Sequence, residues 1–250
     1  MKVQTHRALV LGASSGIGAA CAEKLAKEGY QVGLLARRET ELTKICEKIN
    51  SQKGSLKPLK YVFDIKNFKD CPQMFDKIVT ELGGLDLIIY AAGVMPIVSE
   101  GEYSFEKDQQ MIEVNLLGAI AWLNEAALYF SRIKNGLIVG ISSVAGERGR
   151  KGNPVYGTSK AGLNAYLESL RNRLDSSSVH ILTVKPGFID TPMTKGREGL
   201  FWLISADEAA RQIFDGIRGR KNTIYVPKRW QLVGIILKCI PSFLFRKLDI

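Results

Sequence analysis

A doubly wound parallel α/β sheet in a single domain is the architecture this sequence predicts. Three observations carry it. Short, nearly unbroken apolar runs recur along the chain, bounded by glycine, proline or charge. Segments with helical periodicity separate them almost throughout. The first apolar run leads straight into a glycine-rich turn, LGASSGIGAA, Leu11 to Ala20. Strands covered on both faces read as continuous apolar runs, whereas half-exposed strands alternate. Alternation of such runs with helices argues for parallel strands joined by crossovers. A chain of 250 residues is long enough to bury one large core.

In order, the strands are read at Ala8–Leu11, Val32–Leu35, Leu59–Phe63, Leu85–Tyr90, Gly136–Ile141, His180–Val184 and Thr223–Val226. The helices between them fall at about 16–29, 38–52, 68–82, 105–130, 155–175 and 206–218. The chain shows no internal repeat. Its composition shifts once, near Arg218, where it turns basic and then strongly apolar. The reading therefore sets a catalytic domain, residues 1–227, before a basic amphipathic segment, residues 228–250.

The formal charge is +10, and from Arg218 to Ile250 eight Lys/Arg stand against one Asp, so +7 of it lies there. That asymmetry points to an acidic partner or surface met by the C-terminal segment. No nucleic-acid motif or aromatic-basic strip accompanies the charge, so no nucleic-acid partner is expected. Cys21, Cys46, Cys71 and Cys239 lie far apart with no CxxC pair, which argues for free thiols in a reducing cytoplasm. His6 and His180 stand at strand starts and read as structural, and no His/Asp/Glu cluster suggests a metal. The N-terminal apolar stretch, Ala8 to Ala13, is too short for a secretory signal.

The glycine turn carries the first chemistry. Gly12, Gly16 and Gly18 are spaced G-x-x-x-G-x-G around Ser14 and Ser15. A tight turn and close backbone approach at a helix N-terminus suit a pyrophosphate, whose charge the helix end favours. The second strand ends in Ala36, Arg37 and Arg38, where binders of NAD usually place a carboxylate for the ribose. A guanidinium suits a 2′-phosphate instead. The cofactor expected is NADP(H), with Arg37 the main contact and Ser14 beside it.

The second chemistry lies in PVYGTSKAG, Pro154 to Gly162. Tyr156 and Lys160 stand four apart, hence on one helix face. Ser143 precedes the tyrosine in GISSVAG, and Asn115 stands in VNLLG. AAG, with Ala92 and Gly93, follows the fourth strand, and KPGFIDTPM, with Pro186 and Gly187, follows the sixth. The C-terminal ends of such strands gather at one crevice.

With these motifs in this order over residues 5 to 227, the chain resembles the short-chain dehydrogenase/reductase family. The resemblance implies a Rossmann-type doubly wound sheet of about seven parallel strands flanked by helices. It implies a catalytic set of Asn115, Ser143, Tyr156 and Lys160. It adds Ser14, Ile17, Arg37, Asp64, Ile65, Ala92, Ile189 and Thr191 as cofactor contacts, and a homodimer or homotetramer. Reducing a ketone needs a hydride to carbon and a proton to oxygen. A free tyrosine has a pKa of about 10, and a neighbouring ammonium would lower it. Tyr156 would then be general acid or base, and Ser143 would hold the substrate oxygen. By resemblance, Asn115 would hold a water that links Lys160 to solvent. Gly157, Thr158 and Ser159 would leave room for nicotinamide and backbone. Two positions depart from the family: Leu11 replaces a frequent Thr, and Tyr90–Ala91 replaces a frequent Asn–Asn, removing groups that brace the loops.

The segment from Tyr225 to Ile250 is apolar between Leu232 and Phe245 except for Lys238, Pro241 and Ser242. That is too short and interrupted to span a bilayer. With Lys228, Arg229, Trp230, Arg246 and Lys247 around it, it suits an anchor at the inner face of an anionic membrane. A helix that packs on the core, lines the pocket or forms a dimer contact is the other reading. The stretches SSVAGERGRKGNPVYGTSKAGL and IPSFLFRKL are similar to a subgroup containing the reductase of a polyprenyl-phosphoryl keto-pentose. The substrate expected is therefore a small-molecule or lipid-linked carbonyl. A cofactor-sensing or scaffold protein on the same fold stands as the rival class.

Overall fold

The computed structural model describes residues 5–99 and 101–248. The outer ends of the two sequence segments, residues 1–4 and 249–250, lie outside them, as does Glu100. Seven strands form one sheet: β1 (Arg7–Leu11), β2 (Gln31–Ala36), β3 (Leu59–Val62), β4 (Leu87–Tyr90), β5 (Gly136–Ile141), β6 (Val179–Pro186) and β9 (Thr223–Val226). Their order is β3-β2-β1-β4-β5-β6-β9, and every neighbouring pair is parallel. The order reverses between β1 and β4, which opens a crevice at the strand C-termini. A small second sheet pairs β7 (Ile189–Asp190) with β8 (Ile204–Ser205).

Both faces of the main sheet are covered, which explains the unbroken apolar runs. Side chains alternate along each strand. Ala8 and Val10 pack under α1 (Gly16–Lys27), α2 (Glu39–Asn50) and α7 (Ala206–Arg218). Leu9 and Leu11 pack under α3 (Cys71–Leu82), α5 (Gly118–Ile133) and α6 (Pro154–Leu174). His6 stacks near Tyr30 at 5.4 Å, and the His180 Nε2 lies 3.0 Å from the Lys221 carbonyl oxygen.

The helix read at 105–130 is interrupted. α4 (Phe105–Ile112) passes through a π turn at Glu113–Leu117 into α5. This 29-residue stretch is long and apolar enough to cross a membrane. Yet Met111, Trp122 and Phe130 on it are fully buried in the core. At the π turn the Gly118 N–H reaches back five residues to the Glu113 carbonyl. Such turns disturb the regular ladder and concentrate at functional sites. The buried Tyr90 hydroxyl donates to the Val114 carbonyl at 2.5 Å. Tyr90 thus braces the loop region where the sequence departs from the family. At Leu11 the β1–β4 pairing runs on through the backbone: the Ala91 N–H donates to the Leu11 carbonyl at 2.9 Å.

The basic apolar segment folds back as α8 (Trp230–Cys239) and α9 (Ser242–Phe245). Trp230, Gly234 and Leu237 share one buried face. A turn at Val144–Glu147, just after Ser143, holds this segment. The Glu147 side chain, 1% exposed, pairs with Lys185 at 2.7 Å and with Lys238, and accepts from the Tyr225 hydroxyl at 2.6 Å. Burial alone would raise the Glu147 carboxyl, but bonds to Lys185, Lys238 and Tyr225 bring it below its ordinary value. Arg148 donates to the Leu237 carbonyl at 2.7 Å and to that of Ile240, and lies 4.1 Å over the Phe245 ring. An arginine that satisfies the last carbonyls of a helix acts as a C-cap.

Replacing Glu147 with Gln should therefore leave Lys185 buried without its anion. Removing one partner of a buried pair costs about 3 kcal/mol. Thermal unfolding at pH 7 should show a midpoint about 5–12 °C lower. An unchanged midpoint would mean the cluster holds nothing.

Candidate active site

Parallel strands leave backbone groups at their C-terminal ends, and loops must satisfy them. Gly12 and Ala13 donate to the Leu35 carbonyl at 2.8 and 3.2 Å. This bends the chain sharply after β1, at a φ of +85° for Gly12. A Cβ there would lie 2.5 Å from the Ala92 nitrogen, so only glycine lets the loop after β4 run alongside. A Cβ on Gly18 would lie 2.3 Å from the Gly12 carbonyl oxygen, so α1 starts pressed against the turn. Ser15 caps α1 without a side-chain bond to its amides, and no acidic residue stands in the first turn. A helix end of this kind favours an anion. Thr191 closes the loop from the far side, 3.1 Å from where a Gly16 Cβ would sit.

The guanidinium that reaches the glycine turn is that of Arg38. Its Nη2 donates to Ser14 Oγ at 2.8 Å and to Ser15 Oγ at 2.7 Å. Arg37, expected as the main contact, instead faces Asp64 at 3.6 Å with both side chains largely exposed. Asp64 also accepts from the Lys66 N–H at 2.9 Å. The two arginines alternate across the end of β2, so only one of them turns toward the loop.

At the other end of the crevice, α6 is capped by Asn153, which sequence reading missed as a site residue. Its φ is +49°, its Oδ1 accepts from the Tyr156 N–H at 3.2 Å, and its Nδ2 donates to the Pro96 carbonyl at 3.0 Å. The Asn-Pro pair before a helical run was the available signal. Tyr156 is the third residue of α6 and Lys160 the seventh. Lys160 is 4% exposed, and its Nζ donates to the Ile141 carbonyl, at the end of β5, at 2.9 Å. Burial lowers its pKa to about 8. Ser143 Oγ accepts from the Ala145 N–H at 3.0 Å.

Tyr156 departs from expectation. Burial raises its phenol, while a hydrogen bond with Ser143 and the charge of Arg197 lower it. The net shift is upward. Lys160 Nζ lies 5.8 Å from the ring centroid and is directed to Ile141, so the cation acting on the phenol is Arg197. Of Gly157, Thr158 and Ser159, Gly157 lines the cavity, Thr158 is exposed and Ser159 is buried. A Gly157 Cβ would lie 3.3 Å from the Ala145 carbonyl oxygen, Thr158 donates to Pro154, and Ser159 donates to Tyr156.

Asn115 is fully buried in the π turn. Its Oδ1 accepts from the Val94 N–H at 2.8 Å, and its Nδ2 donates to the Val94 carbonyl at 3.0 Å and to Ser159 Oγ at 3.1 Å. The amide thus ties the β4 loop to α6.

One cavity of about 1000 Å³ joins these parts. It is lined by Gly12, Ser14, Ser15, Gly16, Ile17 and Gly18 from the turn, and by Arg37, Arg38 and Ile65 beside it. Ala92, Gly93, Ser143, Tyr156, Lys160, Pro186, Gly187, Ile189 and Thr191 complete the expected set. Asp64 and Asn115 do not line it; both act on residues that do. The far wall is Phe188 and Trp230, which stand 5.3 Å apart at right angles. A Cβ on Gly187 would fall 2.1 Å from the Trp230 indole, so α8 seats directly on the loop after β6.

A model described as short chain dehydrogenase matches residues 6–199. The chain belongs to the short-chain dehydrogenase family. An uncharacterized oxidoreductase of Staphylococcus epidermidis is 33% identical over 198 residues, covering 79% of this chain and 84% of that protein. An 11-beta-hydroxysteroid dehydrogenase 1A of Arabidopsis thaliana is 29% identical, over 93% of this chain and 71% of its own. The structure of a short-chain type dehydrogenase/reductase from Mycobacterium ulcerans superposes with a TM-score of 0.79 at 22% identity. It covers 90% of this chain and 89% of that one, and shares the fold. Short-chain dehydrogenases are oxidoreductases that use NAD or NADP. The glycine turn, the open α1 N-terminus and the lysine beside the tyrosine fit such a cofactor.

The depressed Lys160 pKa sets a sign for stability. The unfolded chain holds this proton up to a pH near 10.5 and the folded chain only to about 8. The buried charge therefore destabilises the fold fully below pH 8, and stability returns as pH rises from 8 toward 10.5. Measured by urea unfolding against Lys160→Met, wild type should gain roughly 2–3 kcal/mol between pH 7 and pH 10. A difference that stays flat with pH would show that Lys160 is not strained by burial.

Proposed function

We propose that this protein is an NADP(H)-dependent reductase of a lipophilic ketone, or in reverse a dehydrogenase of the secondary alcohol. The observation that carries it is the meeting of Ser143, Tyr156 and Lys160 in one cavity with the glycine turn. Reduced nicotinamide supplies a hydride when bound there. The protein's own residues do the rest. Burial keeps Tyr156 protonated near neutrality, the form a general acid needs. Its phenol gives the proton to the carbonyl oxygen while the Ser143 hydroxyl donates a hydrogen bond to the same oxygen. The Arg197 charge stabilises the phenolate that results, and the Lys160 ammonium would bond the cofactor ribose. Asn115 acts as a positioning residue, holding the Val94 loop against α6.

Arg38, poised over Ser14 and Ser15, favours a 2′-phosphate over a bare ribose. The apolar wall of Phe188 and Trp230, with Met95, Pro96 and Ile97 opposite, favours a lipophilic substrate. The hydroxysteroid activity named for the Arabidopsis relative agrees with that class. A lipid-linked 2-keto sugar in an epimerase pair is the narrower alternative.

Two experiments test this reading. Loss of NADPH absorbance should follow addition of diketones and long-chain ketones, and Tyr156→Phe should lower turnover at least about a hundredfold with NADPH binding intact. Tight NADPH binding without turnover on any ketone would favour a cofactor sensor. Arg38→Ala should weaken NADPH more than NADH, by about tenfold or more, and more than Arg37→Ala does. Equal losses for both cofactors would remove the NADP assignment.

We also propose that α8 and α9 seat the cavity mouth on an anionic lipid surface at the inner face of the membrane. Leu232, Ile235, Ile236, Phe243 and Leu244 are 47–64% exposed, with Lys228, Arg229, Arg246 and Lys247 exposed beside them. An apolar face fringed by basic residues suits that surface. Because Trp230 walls the pocket, the test spares it. Leu232→Ser with Ile235→Ser and Phe243→Ser should weaken co-sedimentation with phosphatidylserine vesicles by about tenfold. Unchanged sedimentation would sink the proposal.

A further inference from the structure

Among the described residues, five buried side-chain polar atoms lack a hydrogen-bond partner. Two belong to residues that line the cavity, Arg150 Nε and Trp230 Nε1. Both atoms are donors only. Buried donors are otherwise almost always paired in folded chains, so Arg150 joins the cavity wall with part of its hydrogen-bonding capacity unmet. Arg150 is fixed in place by its Nη2, which donates to the carbonyl of Val144, next to Ser143, at 3.3 Å. A second guanidinium comes from another loop. Arg197 Nη2 donates to the Met95 carbonyl, two residues past Gly93, at 3.1 Å, and Arg197 is the charge that acts on the Tyr156 phenol. Among the described residues neither arginine has a carboxylate within ion-pair distance, and no Asp or Glu lines the cavity.

The cofactor does not account for this pair. The glycine turn has its own arginine in Arg38. Arg150 and Arg197 are anchored instead to carbonyls beside Ser143 and Gly93, at the end where the carbonyl would react. We propose that Arg150 and Arg197 bind an anionic group, carboxylate or phosphate, carried by the carbonyl substrate. With Phe188 and Trp230 alongside, the substrate has an apolar body and an anionic head. The inference rests on the reductase reading for where the carbonyl lies, but the anion site stands on its own geometry.

Calorimetric titration of the full chain with hexyl phosphate, hexanoate and hexanol tests it without turnover. At least one anion should bind about tenfold or more tighter than hexanol, and the tighter of the two names the head group. Arg150→Met and Arg197→Met should each remove that preference, while Arg38→Met should keep it. Where a Met variant unfolds, Arg150→Lys or Arg197→Lys is used; it keeps the charge, loses the forked geometry and should weaken only the anion. Equal binding of anion and alcohol would overturn the proposal. So would a loss seen only in Arg38→Met, or indifference to every variant, since either places the anion at the glycine turn. NADPH oxidation by a neutral diketone separates the two readings. Anion preference without turnover sinks the reductase and keeps the site; turnover without anion preference does the reverse.

Discussion

The end of a parallel strand is an unfinished hydrogen-bonding edge, and the site grows from how that edge is completed. The Leu35 carbonyl takes the amides of Gly12 and Ala13, Leu11 takes Ala91, Ala36 takes Phe63, Val184 takes Ser142, and Val226 takes Gly187. Each bond ties the loop of one strand to the tip of its neighbour. At β5 the pattern changes. The Ile141 carbonyl accepts from the Lys160 ammonium, brought in by α6. A lysine buried this deeply is costly while it is charged. Here it fills a place in the backbone pattern, and Tyr156, one turn earlier, is fixed by the same helix.

Charge in the cavity is one-sided. Among the described residues no Asp or Glu lines it, and of its arginines only Arg37 faces a carboxylate, that of Asp64. Such a site disfavours its own empty state and gains from any anion that enters. The phenol stays protonated because burial outweighs the Ser143 bond and the Arg197 charge. The amide of Asn115 meets three partners on two neighbouring elements, so rigidity beneath the reacting groups comes from hydrogen bonds rather than apolar packing.

The fold was legible because covered parallel strands write themselves as apolar runs. All seven strands of the main sheet fall where those runs stand. β7 and β8 were not legible, since two residues each carry no period. The π turn was hidden for another reason: Glu113–Leu117 has ordinary helical composition, and the Tyr90 phenol that bonds the Val114 carbonyl within it lies far away in sequence. In the site, residue types were legible and directions were not. Arg37 and Arg38 are adjacent, and only the twist at the end of β2 decides which one turns to Ser14. Arg150 and Arg197 sit in basic loops that read as solvated surface, and contacts to Val144 and Met95 turn them inward. The C-terminal segment showed its apolar and basic character at once. That Glu147 and Arg148 would clasp it needed the third dimension.

Trp230 separates two inheritances within one cavity. The groups that react sit on strand ends and on α6, where any change disturbs the sheet. The wall that a substrate would meet is Phe188 with Trp230, set on a short loop and on a helix outside the sheet. Variation in those outer pieces can alter what is accepted without rewriting the chemistry beneath. The clasp at Glu147, so close in sequence to Ser143, limits that freedom. A lineage that exchanged this helix for another would have to carry the clasp with it, so recognition is free to diverge only as far as its attachment allows.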